Sequence, residues 1–597
     1  MPKIFVEPIG VTIEIDVHDS LLTLNNSGKV AIPSDCGGRG TCGKCLVRLG
    51  AGELTPPTDA ELKKIPAERL AQGWRLACQA YPASERVSIE VRETRGHRQI
   101  LTASDLQRGE ALSAVTKEVV TLAPASLEDA RADAERLKDA CGAQSVPLSV
   151  LRDLPDTLRD HDWSVRVTRY RDHDQSTAVI DVEPPVRETH PYGAAVDIGT
   201  SKIIAYLVDL LDGRLVDQEA VENPQMRFGE DVVTRITQAI SDGHLRELAG
   251  AAREGINEVL AKLYARQEIS ARDLYDMTVV GNTAMHHLAL GLSPRGLGGA
   301  PFAPAIDEPV RLRAAEIGYD MNPEGHVEFL PPIAGFVGSD CLAVVAATRL
   351  EGKRVPAMAI DIGTNTEIAL VHEGKVSVTS CASGPAFEGY QITSGMKAAE
   401  GAIERVTFSP EGLPRLVKTI GHVAPLGICG SGVVDVLAGL VKTGVVDKSG
   451  RMQPHERVRE GANGREYVLA RGREGDIVFT QHDVRALQLA KGAIAAGWSL
   501  LLAHVGLAPD DLRHVYVAGA FGNYLDLANA LAIDLLPPVP RERIAFVGNA
   551  AGVGAQMALI DVRQREHIAG LRKRIGFLEL ATDKQFHTVF TERLSFA

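Results

Sequence analysis

Three kinds of segment are missing from this chain, and each absence removes a class of function. No run of about 18 uncharged apolar residues is present, so a bilayer-spanning helix is not expected. The first residues, MPKIFVEPIGVTIEIDV, have neither a basic leader nor a long apolar core. That sets aside a secretory signal and leads to the expectation of a cytoplasmic protein with no membrane partner. No block of Lys and Arg interleaves with aromatics, and the formal net charge is -13, so no nucleic-acid groove is expected. Cysteine is sparse, eight in 597 residues. In a reducing compartment they read as ligands or buried thiols rather than disulfides.

What remains is ordinary globular material, 45% hydrophobic and 24% charged, long enough for roughly three to four domains of about 150 residues. Four cysteines fall before residue 80, whereas Cys141, Cys341, Cys381 and Cys429 are scattered without metal spacing. Cys341, Cys381 and Cys429, in or beside glycine-rich loops, are expected to be small buried thiols.

The N-terminal group sits largely in one loop, DCGGRGTCGKC, residues 35 to 45. From Gly38 it is one residue short of the phosphate-binding pattern G-x-x-x-x-G-K-[ST], but Cys45 stands where the Mg²⁺-binding hydroxyl belongs. The following LVRLGAG also reads as a short strand and turn rather than a helix. As a metal loop it places Cys36, Cys42 and Cys45 at C-x5-C-x2-C, with Cys78 in RLACQA as a fourth member. Glycines 37, 38, 40 and 43 let such a loop wrap closely and aim backbone N–H groups at bridging sulfides, as a [2Fe–2S] centre requires. The plant-type spacing has one residue fewer in the first gap; five residues there resembles the adrenodoxin-like ferredoxins. A four-cysteine zinc site is the competing reading, although zinc knuckles pair C-x2-C units and only Cys42 and Cys45 make one. Short β-rich runs between residues 3 and 92 alternate with glycine turns, and with the cluster this region, 1–93, resembles a β-grasp ferredoxin domain.

Residues 94–114 are charged and aperiodic and read as a linker. Residues 115–188 follow a β-α-α-β-β order, with a first helix expected to open at Ser126 through Asp129 and a second near 147 to 161. This small α+β middle domain carries no visible chemistry.

From residue 189 an internal repeat sets in. AAVDIGTSKIIAYLVD and MAIDIGTNTEIALVHE share Asp-Ile-Gly-Thr, and Asp361 lies 164 residues after Asp197. Each copy predicts a β-hairpin whose tip presents backbone N–H groups and a hydroxyl, able to hold phosphate without a Walker lysine. The adjacent aspartate suits Mg²⁺, which takes one or two carboxylates plus phosphate oxygens. Further glycine clusters close apolar runs at VVGNTAMHH, CASGPAFEG, GICGSG, YVAGAFGNY and VGNAAGVGAQM. Together these resemble the acetate-kinase, sugar-kinase, Hsp70 and actin (ASKHA) superfamily, whose two lobes close on ATP and Mg²⁺. The resemblance implies lobes of about 189–354 and 355–597. It assigns Asp197 and Asp361 as the carboxylates that work with Mg²⁺, with Gly199, Thr200, Gly363, Thr364, Asn365, Gly430 and Ser431 holding the nucleotide. Gly519 and Gly522 would approach the adenosine. The expected fold is thus multidomain α/β: ferredoxin, small middle domain, two-lobed ASKHA domain.

Two ambiguous features remain. Lys491 interrupts the apolar stripe of a helix starting near Asp483, either as a lysine snorkelling past the core edge or as a cation for nucleotide or a buried carboxylate. His286 and His287 are adjacent on an expected helix, so at least one reads as a surface or core residue.

An electron carrier joined to an ATP site suits an electron that must go uphill. A plant-type cluster lies near about −400 mV, and each further 100 mV costs about 2.3 kcal/mol per electron. Reduction of cob(II)alamin to cob(I)alamin has that need. The whole order, from the cysteine quartet through DIGT, DIGTNTE, GICGSG and AGAFGN, resembles the reductive activators of corrinoid enzymes. By that resemblance an external electron donor loads the cluster, a corrinoid protein of a methyltransferase system docks, ATP changes the lobe angle, and one electron passes to cobalt. A homodimer is implied on the same ground alone. An activator of another low-potential enzyme, or a redox-sensing nucleotide-dependent binding module, are the alternatives.

Overall fold

The structure, a computed structural model, describes residues 1–7, 11–27, 30, 32, 40, 45–91, 112–187, 189–229, 231–241, 243–389, 391–461, 464–472, 475–519 and 525–596. Cys36, Cys42, Gly522 and linker positions 94–111 lie outside the described residues. The chain divides into two compact units, Met1–Ile100 with Pro540–Phe546 and Leu101–Val539 with Val547–Ala597.

The first unit is a mixed sheet of β1 (Lys3–Glu7), β2 (Val11–Glu14), β3 (Leu46–Ala51), β4 (Trp74–Leu76) and β5 (Arg86–Val91), in spatial order β2-β1-β5-β3-β4. β1 and β5 run parallel and the other neighbours antiparallel. Period-2 patterning sets the register: in β1 Ile4 and Val6 are buried while Lys3, Phe5 and Glu7 face out. Helix α1 (Asp59–Lys64) starts at a capping box in which the Thr58 side chain takes the Glu61 N–H and Glu61 takes that of Thr58. Val47, Leu76, Val87 and Ile89 close the core, which also buries Cys45 and Cys78. This is the β-grasp ferredoxin arrangement the cysteine spacing called for.

In the second unit β6 (Val115–Thr121), α2 (Asp133–Cys141), α3 (Leu148–Asp160), β7 (Ser164–Arg171) and β8 (Thr177–Glu183) form a three-stranded sheet under two helices. The element order is the expected one, but Ser126 opens no helix. Its hydroxyl takes the N–H groups of Glu128 and Asp129 in a closed turn, Asp129 turns to Arg131, and the helix waits until Asp133. A Ser-to-backbone bond serves a turn as well as an N-cap, and here the turn wins.

Two larger sheets follow. The first holds β9 (Tyr192–Ile198), β10 (Lys202–Asp209), β11 (Leu215–Glu222), β12 (Leu274–Gly281), β13 (Val310–Arg313) and β14 (His326–Phe329) in order β11-β10-β9-β12-β14-β13. The second contains β15 (Ala357–Asp361), β16 (Thr366–His372), β17 (Lys375–Cys381), β18 (His514–Ala518) and β19 (Ile575–Phe577), with β18-β15-β16-β17-β19 as neighbours. In both, the third strand pairs the second, the second the first, and the first the fourth, with the fourth parallel to the first. The repeat read in DIGT is therefore a repeat of topology.

Helix α4 (Leu245–Gln267) buries Leu248, Ile256, Val259 and Leu263 against the first sheet. Downstream of it lie α5 (Thr283–Ala289), α6 (Ser339–Ala347), α7 (Gly430–Lys442), α8 (Gln481–His504) and α9 (Ala550–Ile560). α6 after its first turn and α9 are almost wholly apolar and buried, and they pack on each other between the two sheets, as such helices must. Their approach is set by Gly554, where a Cβ would stand 2.3 Å from the Ala343 carbonyl oxygen. α8 is long and apolar enough to cross a membrane, yet 78% of its most apolar window is buried within the protein.

Candidate functional site

In the first unit, Cys45 ends the loop and leads directly into β3, while Cys78 follows β4 in a tight turn in which Gln79 N–H and Ala80 N–H donate to the Leu76 carbonyl at 2.8 and 3.0 Å. The Ala77 N–H donates to the Cys45 carbonyl at 2.7 Å, so the two segments are tied by their backbones. Their sulfurs end 3.3 Å apart. A disulfide needs about 2.05 Å, whereas two thiolates on one tetrahedral ion, each at about 2.3 Å, stand about 3.8 Å apart. The donor set therefore fits a shared metal centre rather than a disulfide. Gly40, at φ +70°, adopts the left-handed conformation that favours glycine.

A buried ion pair supports this end of the domain. Glu61 is fully buried; burial pushes its carboxyl up, but Arg75 and two backbone N–H groups outweigh that and hold it below its usual range. Arg75 donates from Nε and Nη2 at 2.8 and 2.9 Å, and the Leu76 N–H donates to Glu61 at 3.0 Å, two residues before Cys78.

In the second unit each DIGT is the turn of an antiparallel hairpin, β9–β10 and β15–β16. The first is braced from below. The Gly199 carbonyl takes the Asn223 side chain at 2.8 Å, the Thr200 carbonyl takes Arg235 at 2.7 Å, and the Thr200 hydroxyl takes the Asn282 amide at 3.2 Å. The second is braced by residues 383 to 388. The Ser383 hydroxyl donates to the Gly363 carbonyl at 3.0 Å, Gly384 N–H to the Thr364 carbonyl at 2.9 Å, and the Thr364 hydroxyl donates to Glu388 at 2.7 Å. Asn365 is half-buried at the tip. Gly519, φ +99°, lies behind the second hairpin, where a Cβ would meet the Ile362 carbonyl at 2.5 Å and the Asp361 carboxylate at 3.0 Å.

The two hairpins bring Asp197 and Asp361 into one electrostatic cluster with two acids that sequence reasoning missed. Asp340 lies in the first turn of α6, and Glu367 stands opposite Asp361 on β16. Burial raises Asp197 to about 6, against a 3.0 Å hydrogen bond from Asn549. Burial and the Asp197 charge raise Asp340 to about 7, and burial with Asp340 and Asp197 raises Asp361 to about 8. Glu367 is driven up by burial and by Asp340 and Asp361. Among the described residues no Lys or Arg pairs with any of the four. Carboxyls crowded and buried in this way either hold protons or take a cation in their place. Among the described residues no three acidic, His or Cys side chains converge closely enough to cage a metal alone, which suits Mg²⁺ held by one or two carboxylates and phosphate oxygens.

Gly430 and Ser431 open α7, whose N-cap Cys429 makes no side-chain cap, leaving first-turn N–H groups of the kind that receive an anion. The Ser431 hydroxyl donates to the Glu404 carbonyl at 2.8 Å and so fixes the turn. His286 and His287 are both core residues. His287 uses Nδ1 on the Thr283 carbonyl and Nε2 on the Ala305 N–H, each at 2.8 Å, and burial lowers His286 to about 3 beside the edge of Phe329. Lys491 neither snorkels nor meets a carboxylate: fully buried, it donates to the Ser595 carbonyl at 2.5 Å under the Phe596 ring. Cys341, Cys381 and Cys429 are buried thiols, as expected, and Cys141 is buried as well.

Fold and site together define a class: a two-lobed ASKHA nucleotide-binding protein that carries a ferredoxin domain. Family models match in succession along it, a 2Fe-2S iron-sulfur cluster binding domain at 4–83, the RACo linker region at 104–189, the RACo middle region at 192–353 and the C-terminal ASKHA domain of RACo at 356–597. The chain belongs to the RACo family. It is 33% identical over 607 aligned residues to the corrinoid activation enzyme RamQ of Eubacterium limosum, covering 96% of each chain. It is 26% identical to the [Co(II) methylated amine-specific corrinoid protein] reductase of Methanosarcina barkeri, over 68% of this chain and 77% of that one. A solved reductive activator for corrinoid, iron-sulfur protein superposes with a TM-score of 0.77 at 33% identity, over 100% of this chain and 98% of that one.

Proposed function

We propose that this protein reductively activates a corrinoid protein of a methyltransferase system in an ATP-dependent way, delivering one electron to Co(II) and leaving Co(I). The observation that carries the reading is the relation to a corrinoid activation enzyme over the full chain, through the parts that hold the cysteines and both hairpins.

Cys36, Cys42, Cys45 and Cys78 hold the [2Fe–2S] cluster, which when bound supplies a one-electron carrier refilled by an external donor. The hairpin tips at Gly199–Thr200 and Gly363–Asn365, with the α7 N-terminus at Gly430–Ser431, bind the phosphates of ATP. Asp197 and Asp361 orient Mg²⁺ from opposite sheets, and Asp340 and Glu367 deepen the negative field that draws it in. Gly519 keeps the floor beneath Asp361 thin, and Gly519 and Gly522 are the glycines assigned to the adenosine. Because Asp197 and Asp361 belong to different sheets, a ligand bridging them favours one lobe angle over another, the differential affinity that any ligand-driven change requires.

The test mixes anaerobically reduced protein with a Co(II) corrinoid protein, with and without MgATP, and follows the cob(I) absorption. MgATP-dependent appearance of cob(I) is expected. Reduction that proceeds equally without nucleotide, or none with it, sinks the assignment.

A further inference from the structure

The Gln79 side chain is placed against the Cys78 sulfur by contacts on three sides. Its amide Nε2 lies 3.1 Å from the Cys78 carbonyl oxygen and 3.7 Å from the Cys78 Sγ. Both of those atoms are acceptors, so the NH₂ end and not the carbonyl end of the amide faces them. On the far side the Thr58 hydroxyl, at the N-cap of α1, stands 3.5 Å from Gln79 Oε1. The third side is the cysteine loop: a Cβ on Gly40 would come within 3.0 Å of Gln79 Cδ and of Ala60 Cβ, so the glycine leaves the space the amide fills. The segment that carries Gln79 is itself pinned, through Leu76 N–H on the buried Glu61 carboxylate.

We propose that Gln79 is a tuning residue of the cluster, donating an N–H to the Cys78 sulfur and thereby raising the reduction potential of the group held there. The inference rests on the reading of Cys78 as a cluster ligand. Reduction adds negative charge that is shared with the ligand sulfurs, and a donor aimed at one of them stabilises the reduced state more than the oxidised one. Gln79 thus sets the driving force of the electron delivered, independently of nucleotide.

The experiment is a dye-mediated redox titration of the full-length, cluster-loaded protein by visible absorption and EPR, without ATP or corrinoid partner. Gln79→Leu removes the donor. Gln79→Glu keeps the size but replaces donor by acceptor, and the exposed Gln72→Leu serves as a control. Both Gln79 variants are expected at more negative potentials with unchanged iron content. At the wild-type midpoint their reduced-to-oxidised ratio falls by about tenfold, which corresponds to about 59 mV for one electron. Pulsed EPR should show an exchangeable proton coupling in wild type and Gln72→Leu that Gln79→Leu loses. Midpoints equal to wild type in both Gln79 variants overturn the proposal while leaving the ligand reading intact. Wild-type protein that holds zinc and no iron–sulfur chromophore overturns both.

Discussion

The two DIGT hairpins begin with the same four residues and end in different electrostatic surroundings. On β9–β10 the residue opposite Asp197 is Ile204; on β15–β16 the residue opposite Asp361 is Glu367. Asp197 also receives a hydrogen bond from Asn549, the N-cap of α9, which binds the Tyr206 hydroxyl at 3.0 Å with the same amide. The second hairpin thus places two carboxylates side by side, a cross-strand pairing of like charges that is unfavourable in itself. The first takes a hydrogen bond from an uncharged amide and is fastened by it to the helix that packs on α6. One half of the motif stores repulsion that a cation relieves, and the other half connects the site to the helices between the sheets.

The largest test of that division is Asp361→Ala. It should abolish ATP-stimulated reduction of a Co(II) corrinoid protein while dithionite still reduces the cluster at the wild-type rate. Retained ATP stimulation would remove Asp361 from the Mg²⁺ side. Next comes Asn549→Ala, which deletes the donor to Asp197 and the N-cap of α9 together. Hydrogen bonds to charged groups contribute about 1.5 to 3 kcal/mol and N-caps about 1, so thermal stability should fall. ATP should still bind at the second hairpin but lose its coupling to electron transfer. Full coupling in a destabilised variant would separate the two roles assigned to that side chain. A smaller effect of opposite sign is expected for Glu367→Gln. Relief of the cross-strand repulsion should raise the melting temperature of nucleotide-free protein by an amount equivalent to up to about 1 kcal/mol, while the additional stabilisation by MgATP shrinks. Calorimetry with and without MgATP reads both, and an unchanged difference would place Glu367 outside the cation's field.

The parts legible from the chain alone were those written locally. The ferredoxin domain, the hairpins, the β-α-α-β-β module and the order of domains depend on spacing within about forty residues, and local propensity and turn chemistry report on that range. The partners of the hairpins were not legible because they arrive from far away. Asn549 reaches Asp197 across 352 positions, and Asp340 enters the cluster from the first turn of a separate helix. Glu367 was the exception that was available: it sits six residues after Asp361 within the quoted DIGTNTE, and strand alternation alone puts it on the same hairpin. Ser126 failed for the converse reason, because a hydroxyl followed by an acidic residue suits a closed turn as well as a helix start.

Lys491 supplies the last and smallest test, since it lies in the same half of the molecule as the second hairpin but is charged for a different reason. α8 packs against β16 and β17, and Lys491 extends from it to the final residues of the chain, with Gln488 holding the Leu594 carbonyl at 2.9 Å one turn earlier. Burial lowers its pKa from 10.5 to about 8, offset in part by Asp534 and reinforced by Arg593. Between those two values the unfolded chain binds more protons at this site than the folded one, so folding stability contributed here rises as pH climbs from about 8 toward 10.5. Lys491→Met should remove that upward slope and leave ATP-dependent electron transfer at neutral pH unchanged. If instead it weakened nucleotide binding, the division between a charged hairpin and an inert supporting helix would be wrong. The lysine would then belong to the field around Asp361 rather than to the anchoring of the C-terminal segment.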